Sequence, residues 1–142
     1  MNDQNEKLTE KLTIELHDNF SKDNFKRCLE LAHEDVHVVS YAMGMTFNGK
    51  DEFENFFIGF KQAFPDLKVE HRNIIASGNK VAVEFSATGI HTGPLHTPEG
   101  VIPPSGKKVT INVAEFLEWE NGKLRKLTNY QDSFSLMKQI GA

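Results

Sequence analysis

Leu8, Leu12, Leu16 and Phe20 recur at four-residue steps, which predicts an amphipathic helix over Glu6–Phe20. Ser21 is a favourable N-cap, and a second helix after it would bury Phe25, Cys28, Leu29 and Ala32. The β-branched run Val36–Tyr41 predicts a strand. The Met43-Gly44-Met45 segment that follows either lines a cavity or fills a gap. Helical spacing returns with Phe53, Phe56, Phe57, Phe60 and Phe64, a third helix over about 51–64 that Pro65 ends. Leu67–Ser77 and Lys80–His91 read as two strands joined at Gly78-Asn79. The segment Thr92–Gly106 holds four of the five prolines and three glycines, so a loop without regular structure is expected.

The remaining segment organises the chain. It reads as a strand, a tight turn at Asn121-Gly122, a returning strand and a short helix over Ser133–Gln139. Asn-Gly is the pair that best accepts positive φ at both central positions of a type I′ hairpin. With a two-residue loop, Glu120 pairs with Lys123 and Glu118 with Arg125. Side-chain alternation then puts Ile111, Val113, Glu115, Leu117 and Trp119 on one face with Leu124, Lys126, Thr128, Tyr130 and Asp132. This more apolar face is expected to be the core face, with Asp132 pointing inward at its end. A bulge in either strand would reverse that parity. The order of elements gives an α+β class: helices laid on one face of a twisted sheet, with an opening at the wide end.

Composition narrows the function classes. At 142 residues the chain is expected to form a single domain. A net charge of −4, with no basic cluster beyond Lys107-Lys108, argues against nucleic acid and against an anionic membrane surface. No apolar run approaches the roughly 18 residues of a membrane span, and the N-terminus carries no signal-peptide pattern. The lone Cys28 excludes an internal disulfide and suits a reducing compartment, so a cytoplasmic location is expected. Eleven Phe against one Trp and two Tyr suggest a core or cavity walled by unsubstituted rings.

Several residues carry chemical possibilities. Asp132, if walled by apolar rings, would have its charged form disfavoured and act as a general base. Equally, it directly precedes a helix and would serve as an N-cap there. Glu115 lies on the same expected face, opposite Thr128, where an ion pair with Lys126 is the simpler account. Tyr130 would either hydrogen-bond an enolate oxygen or pack as a half-buried core residue. His91 and His96 flank the Pro/Gly loop, as a second acid/base over a pocket mouth or as solvated side chains. His17, His33, His37 and His71 show no ligand spacing with one another or with cysteine, so no metal is expected. Phe57 and Phe60 belong to a stripe that serves as core or pocket wall.

Five stretches together resemble the SnoaL-like polyketide (ester) cyclase family of the nuclear-transport-factor-2-like fold. They are Ala63-Phe64-Pro65-Asp66-Leu67, Gly89-Ile90-His91-Thr92-Gly93, Pro104-Ser105-Gly106-Lys107, Asn121-Gly122-Lys123-Leu124, and Asp132 with Gln139-Ile140-Gly141. The resemblance implies a cone-shaped sheet wrapped by helices around a pocket, often in a homodimer. It also implies an intramolecular aldol ring closure on a small hydrophobic carbonyl compound, without cofactor, with Asp132 at the position of the acid/base aspartate. Two positions depart from the family pattern. Thr128 stands where a Trp is usual, and Ser40 with Tyr41 stand where a first-strand His is common. A non-catalytic small-molecule-binding protein, or an isomerase, dehydratase or epoxide hydrolase, would use the same pocket.

Overall fold

The first helix, α1 (Asp3–Ser21), runs past both predicted ends. The structure, a computed structural model, describes residues 3–141. Ser21 closes α1 instead of capping the next helix. Its hydroxyl accepts the Val69 N–H at 2.9 Å and its carbonyl accepts Lys68 Nζ at 3.0 Å, tying the helix end to the sheet. Asn24 is the actual cap of α2 (Phe25–Glu30), its side chain accepting the Arg27 N–H. Then come β1 (Ala32–Ser40), β2 (Met45–Asn48), α3 (Gly49–Ala63), β3 (Lys68–Ser77) and β4 (Lys80–Ile90). They are followed by β5 (Leu95–Thr97), β6 (Gly100–Ile102), β7 (Lys108–Glu120), β8 (Lys123–Gln131) and α4 (Ser133–Ile140).

Six strands form one curved sheet in the order β2-β1-β8-β7-β4-β3. Only the β1–β8 pairing is parallel; the other neighbours are antiparallel. The fold is thus the expected α+β class, with a mixed sheet. Three short strands were not anticipated. Gly44, at φ 64°, turns the chain from β1 into β2. The segment expected to be a loop carries the β5–β6 hairpin, whose three residue pairs form a separate small sheet. Gly93 seats this segment against α3. Its N–H and that of Thr92 both donate to Ala63 O, and a Cβ there would lie 1.7 Å from Gln62 O.

α1 and α3 cover one face of the sheet. Phe53, Phe56 and Phe57 of α3 are buried, and the Phe53 and Phe57 rings lie 4.4 Å apart between centroids. At about 1.5–3 kcal/mol for each buried ring, this stripe is a major contributor to packing. Lys61 crosses to the end of α1, donating to Ser21 O and Leu67 O and pairing with Asp23 at 3.0 Å.

The β7–β8 turn is as expected, with Asn121 at φ 50° and Gly122 at φ 77°. Glu120 faces Lys123 and Trp119 faces Leu124, but Glu118 faces Lys126, not Arg125. Arg125 is an extra residue, a β-bulge that reverses the parity of β8 from there onward. The β7 residues keep their assigned faces. On β8, however, Leu127, Asn129 and Gln131 turn to the helix-covered face, and Lys126, Thr128 and Tyr130 turn away.

Candidate active site

Between α1, α3 and the sheet lies an inner cavity of about 50 Å³, room for about three to five waters or a few heavy atoms. Its walls are mostly apolar, with Phe20, Phe56, Phe57, Phe60 and Phe85 among them, and its polar lining groups are His17, Glu115, Asn129 and Gln131. Phe60, Ile111 and Gln131 also line a wider cleft of about 570 Å³, flanked by the β5–β6 hairpin, α3 and α4. The inner cavity therefore adjoins a mouth large enough for the body of a drug-sized molecule.

The polar groups form a single connected chain. Glu115 is 4% exposed, and both its oxygens are held: Oε1 accepts from His17 Nε2 at 2.7 Å, and Oε2 accepts from Asn129 Nδ2 at 2.7 Å. Asn129 Oδ1 in turn accepts from Gln131 Nε2 at 3.1 Å. On the other side, His17 Nδ1 lies 2.8 Å from Nε2 of the half-buried His71 on β3. Burial pushes the His71 ring below its ordinary pKa, and neighbouring His17 acts in the same direction, while Asp18 and Glu115 oppose it. Each element supplies a member for a local reason. Glu115 and Asn129 are directly paired across β7 and β8, and His17 follows Thr9 and Thr13 along a buried polar stripe of α1. Among the described residues, no group of three or more His, Cys, Asp or Glu is arranged to hold a metal ion.

Of the residues singled out from sequence, the structure brings three together. Glu115, Phe57 and Phe60 line the inner cavity. Glu115 faces Asn129, however, not Thr128, and Lys126 stands opposite Glu118. Asp132 is exposed at the N-cap of α4, its Oδ1 accepting the Ser135 N–H at 3.1 Å, so it does not reach the inner cavity. Thr128 and Tyr130 are on the opposite face because of the bulge. Tyr41 is 61% exposed and stacks on Tyr130 at 5.0 Å between ring centroids. His91 is fully buried and lines neither the inner cavity nor the wider cleft. Its Nδ1 accepts the Ser105 N–H at 3.1 Å, its ring packs on Phe64, and its Nε2 has no hydrogen-bond partner. Desolvation lowers the His91 pKa, opposed by the backbone of Gly93. His17, His71, Asn129 and Gln131 were not singled out from the sequence.

Comparison with known proteins agrees with this architecture. The profile of the SnoaL-like polyketide cyclase family matches residues 11–140. A provisionally assigned SnoaL-like polyketide cyclase from Jannaschia sp. CCS1 superposes with a TM-score of 0.88 at 20% identity, covering 100% of this chain and 97% of that one. IdmH from Streptomyces antibioticus, provisionally assigned as a polyketide cyclase, gives 0.81 at 16% identity, covering 94% and 99%. AclR from Streptomyces galilaeus, provisionally assigned as a hydroxylase, gives 0.80 at 21% identity, covering 94% and 80%. At these identities the structural likeness establishes the fold alone. No curated protein matches the chain. No helix among the described residues is long and apolar enough to cross a membrane. With the profile spanning nearly the whole sequence, the chain belongs to the SnoaL-like polyketide cyclase family.

Proposed function

We propose that the protein is a cofactor-free acid/base enzyme that closes a ring in a hydrophobic carbonyl compound, with Glu115 as the base. The observation that carries this reading is a carboxyl group buried against aromatic walls, with donors on both oxygens and lone pairs left for the cavity. Glu115 removes a proton from carbon flanked by carbonyls, and His17 and Asn129 hold the carboxylate in place while it does so. Gln131 gives one N–H to Asn129; its second N–H is free to polarise the substrate carbonyl as enolate charge develops. The enolate carbon then attacks a second carbonyl carbon of the same molecule. A C–C bond forms, and the new alkoxide takes back the proton from Glu115, so the step is a net isomerisation. The reacting head occupies the inner cavity and the apolar body lies in the wider cleft.

Deuterium exchange tests this without knowledge of the natural substrate. 1,3-Dicarbonyl compounds bearing apolar chains are incubated in D₂O with the protein, and loss of the α-proton signal is followed by NMR. Glu115→Gln is expected to slow exchange by about 10²–10⁴-fold, while Asp132→Asn leaves it near the wild-type rate. Unchanged exchange in Glu115→Gln, or loss in Asp132→Asn, overturns the assignment. Ligand binding with no exchange in the wild type would instead identify a binding protein.

A further inference from the structure

The Glu115 carboxyl group is nearly sealed from water, yet a base that keeps a stray proton there is out of action until the proton leaves. The hydrogen-bond chain continues from Glu115 through His17 to His71, at 2.7 and 2.8 Å, and His71 is the first member not fully buried. We infer that His71 and His17 form a relay that carries protons between the buried Glu115 and solvent, with His71 as its outer terminus. The inference rests on Glu115 being the base of the proposed reaction.

Imidazole is suited to this because each ring has two nitrogens and passes a proton by taking one at one nitrogen and releasing one at the other. The chain has two senses. In the outward sense, protonated Glu115 donates to His17 Nε2, and His17 Nδ1–H donates to His71 Nε2. In the inward sense, His71 Nε2–H donates to His17 Nδ1, and His17 Nε2–H donates to the carboxylate. One passage converts the first sense into the second. The Glu115 O–H, His17 Nδ1–H and His71 Nδ1–H bonds break. Bonds to hydrogen form at His17 Nε2, His71 Nε2 and a water molecule. One proton leaves the cavity, and no net charge stays on either ring.

The surroundings of His71 suit a terminus that does not retain the proton. Its ring lies 5.0 Å from that of His17, edge to edge and within 18° of coplanar, and 6.3 Å from that of Phe85. The charged groups acting on it are Asp18 from α1 and Glu115 from β7, with His17 as the titratable neighbour. Burial and His17 disfavour the imidazolium, and the two carboxylates keep it accessible. The hydrogen bonds of the described residues leave Nδ1 of His71 without a protein partner.

The test uses the full chain with ¹⁵N-labelled histidine and no substrate. In the wild type, a ¹⁵N–¹⁵N coupling across the hydrogen bond between His17 Nδ1 and His71 Nε2 is expected. His71→Gln keeps a hydrogen-bonding group beside His17 but cannot take up a proton at one atom and release one at another. It should fix His17 in a single tautomer and slow solvent exchange of its ring proton at least about tenfold, with an unchanged unfolding midpoint. Absence of that coupling in the wild type, or wild-type exchange in His71→Gln, overturns the relay. Because no substrate is present, these readouts are independent of the Glu115→Gln test of the reaction. Failure of one does not mimic failure of the other.

Discussion

Replacing His17 and Glu115 by leucine, singly and together, separates a structural pair from a functional one. Glu115→Leu strands two donors, His17 Nε2–H and Asn129 Nδ2–H, on side chains that are themselves buried. At about 1–3 kcal/mol per stranded group, and with His17 able to move its proton to Nδ1 toward His71, the cost should be about 3 kcal/mol. His17→Leu strands Glu115 Oε1 and leaves a buried carboxylate with one donor, again about 3 kcal/mol. The double variant removes both partners. It strands only the Asn129 amide and the half-buried His71, and adds apolar surface to an apolar cavity, for about 1–2 kcal/mol. The coupling is therefore about 4–5 kcal/mol, where independent sites add to within about 0.5. Urea unfolding followed by Trp119 fluorescence measures it. This residue is the only tryptophan, is 2% exposed, and its indole donates to Thr13 Oγ1 on α1 at 3.1 Å, so the signal reports docking of that helix. Additive costs with an unchanged urea dependence would refute the buried pair. A double variant close to wild type in stability but without deuterium exchange would show a pair retained for chemistry at the expense of packing.

Two further outcomes are expected. Because burial holds both His71 and His91 below their ordinary pKa, the unfolded chain takes up protons first as the pH falls below about 6.5. Stability should be flat above pH 7 and decline on acidification through the folded-state values, and a urea midpoint that rises between pH 7 and pH 5 would contradict this. On the outer face of the sheet, Tyr41 stacks on exposed Tyr130, and exposed Phe116 meets Tyr130 edge-on at 6.2 Å. We propose this patch as the interface of a homodimer. Phe116→Lys with Tyr130→Lys should then halve the mass measured by light scattering, and an unchanged mass excludes this face.

The fold was legible because its signals are local. Four-residue leucine steps gave α1, the phenylalanine stripe gave α3, and Asn121-Gly122 gave a hairpin whose φ values are those of the expected turn. The short pieces escaped for equally local reasons. β2 has four residues and β5 and β6 three each, too few for a period to register, and the last two sit among prolines that argue against a strand. Ser21 resembled a helix start because its hydroxyl suits a cap, but a neighbouring strand took that hydroxyl instead.

The site was less legible than the fold, and one residue accounts for much of the difference. Arg125 adds a single position to β8, and every side chain beyond it changes face. Without the bulge, Thr128, Tyr130 and Asp132 would look toward the helices. With it, Asn129 and Gln131 do, and Asp132 is left at the edge to cap α4. Nothing in the local sequence marks the bulge, because Lys123 to Lys126 offers one leucine among three basic residues and either register buries it. His17 was hidden differently. Its partner Glu115 is 98 residues away, so no spacing connects them. A signal did exist in α1: Thr9, Thr13 and His17 repeat at four-residue steps beside Leu12, Leu16 and Phe20, a polar stripe adjoining the apolar one. All three are buried, the last within hydrogen-bonding distance of the Glu115 carboxylate. A polar stripe on the inward side of a helix is costly unless something meets it. Thr13 meets the Trp119 indole and His17 meets Glu115 two positions apart on the same face of β7 and four apart along the strand. The helix register and the strand register therefore specify the same site independently. That agreement, more than any single motif, is why we propose the acid/base role for Glu115 instead of Asp132.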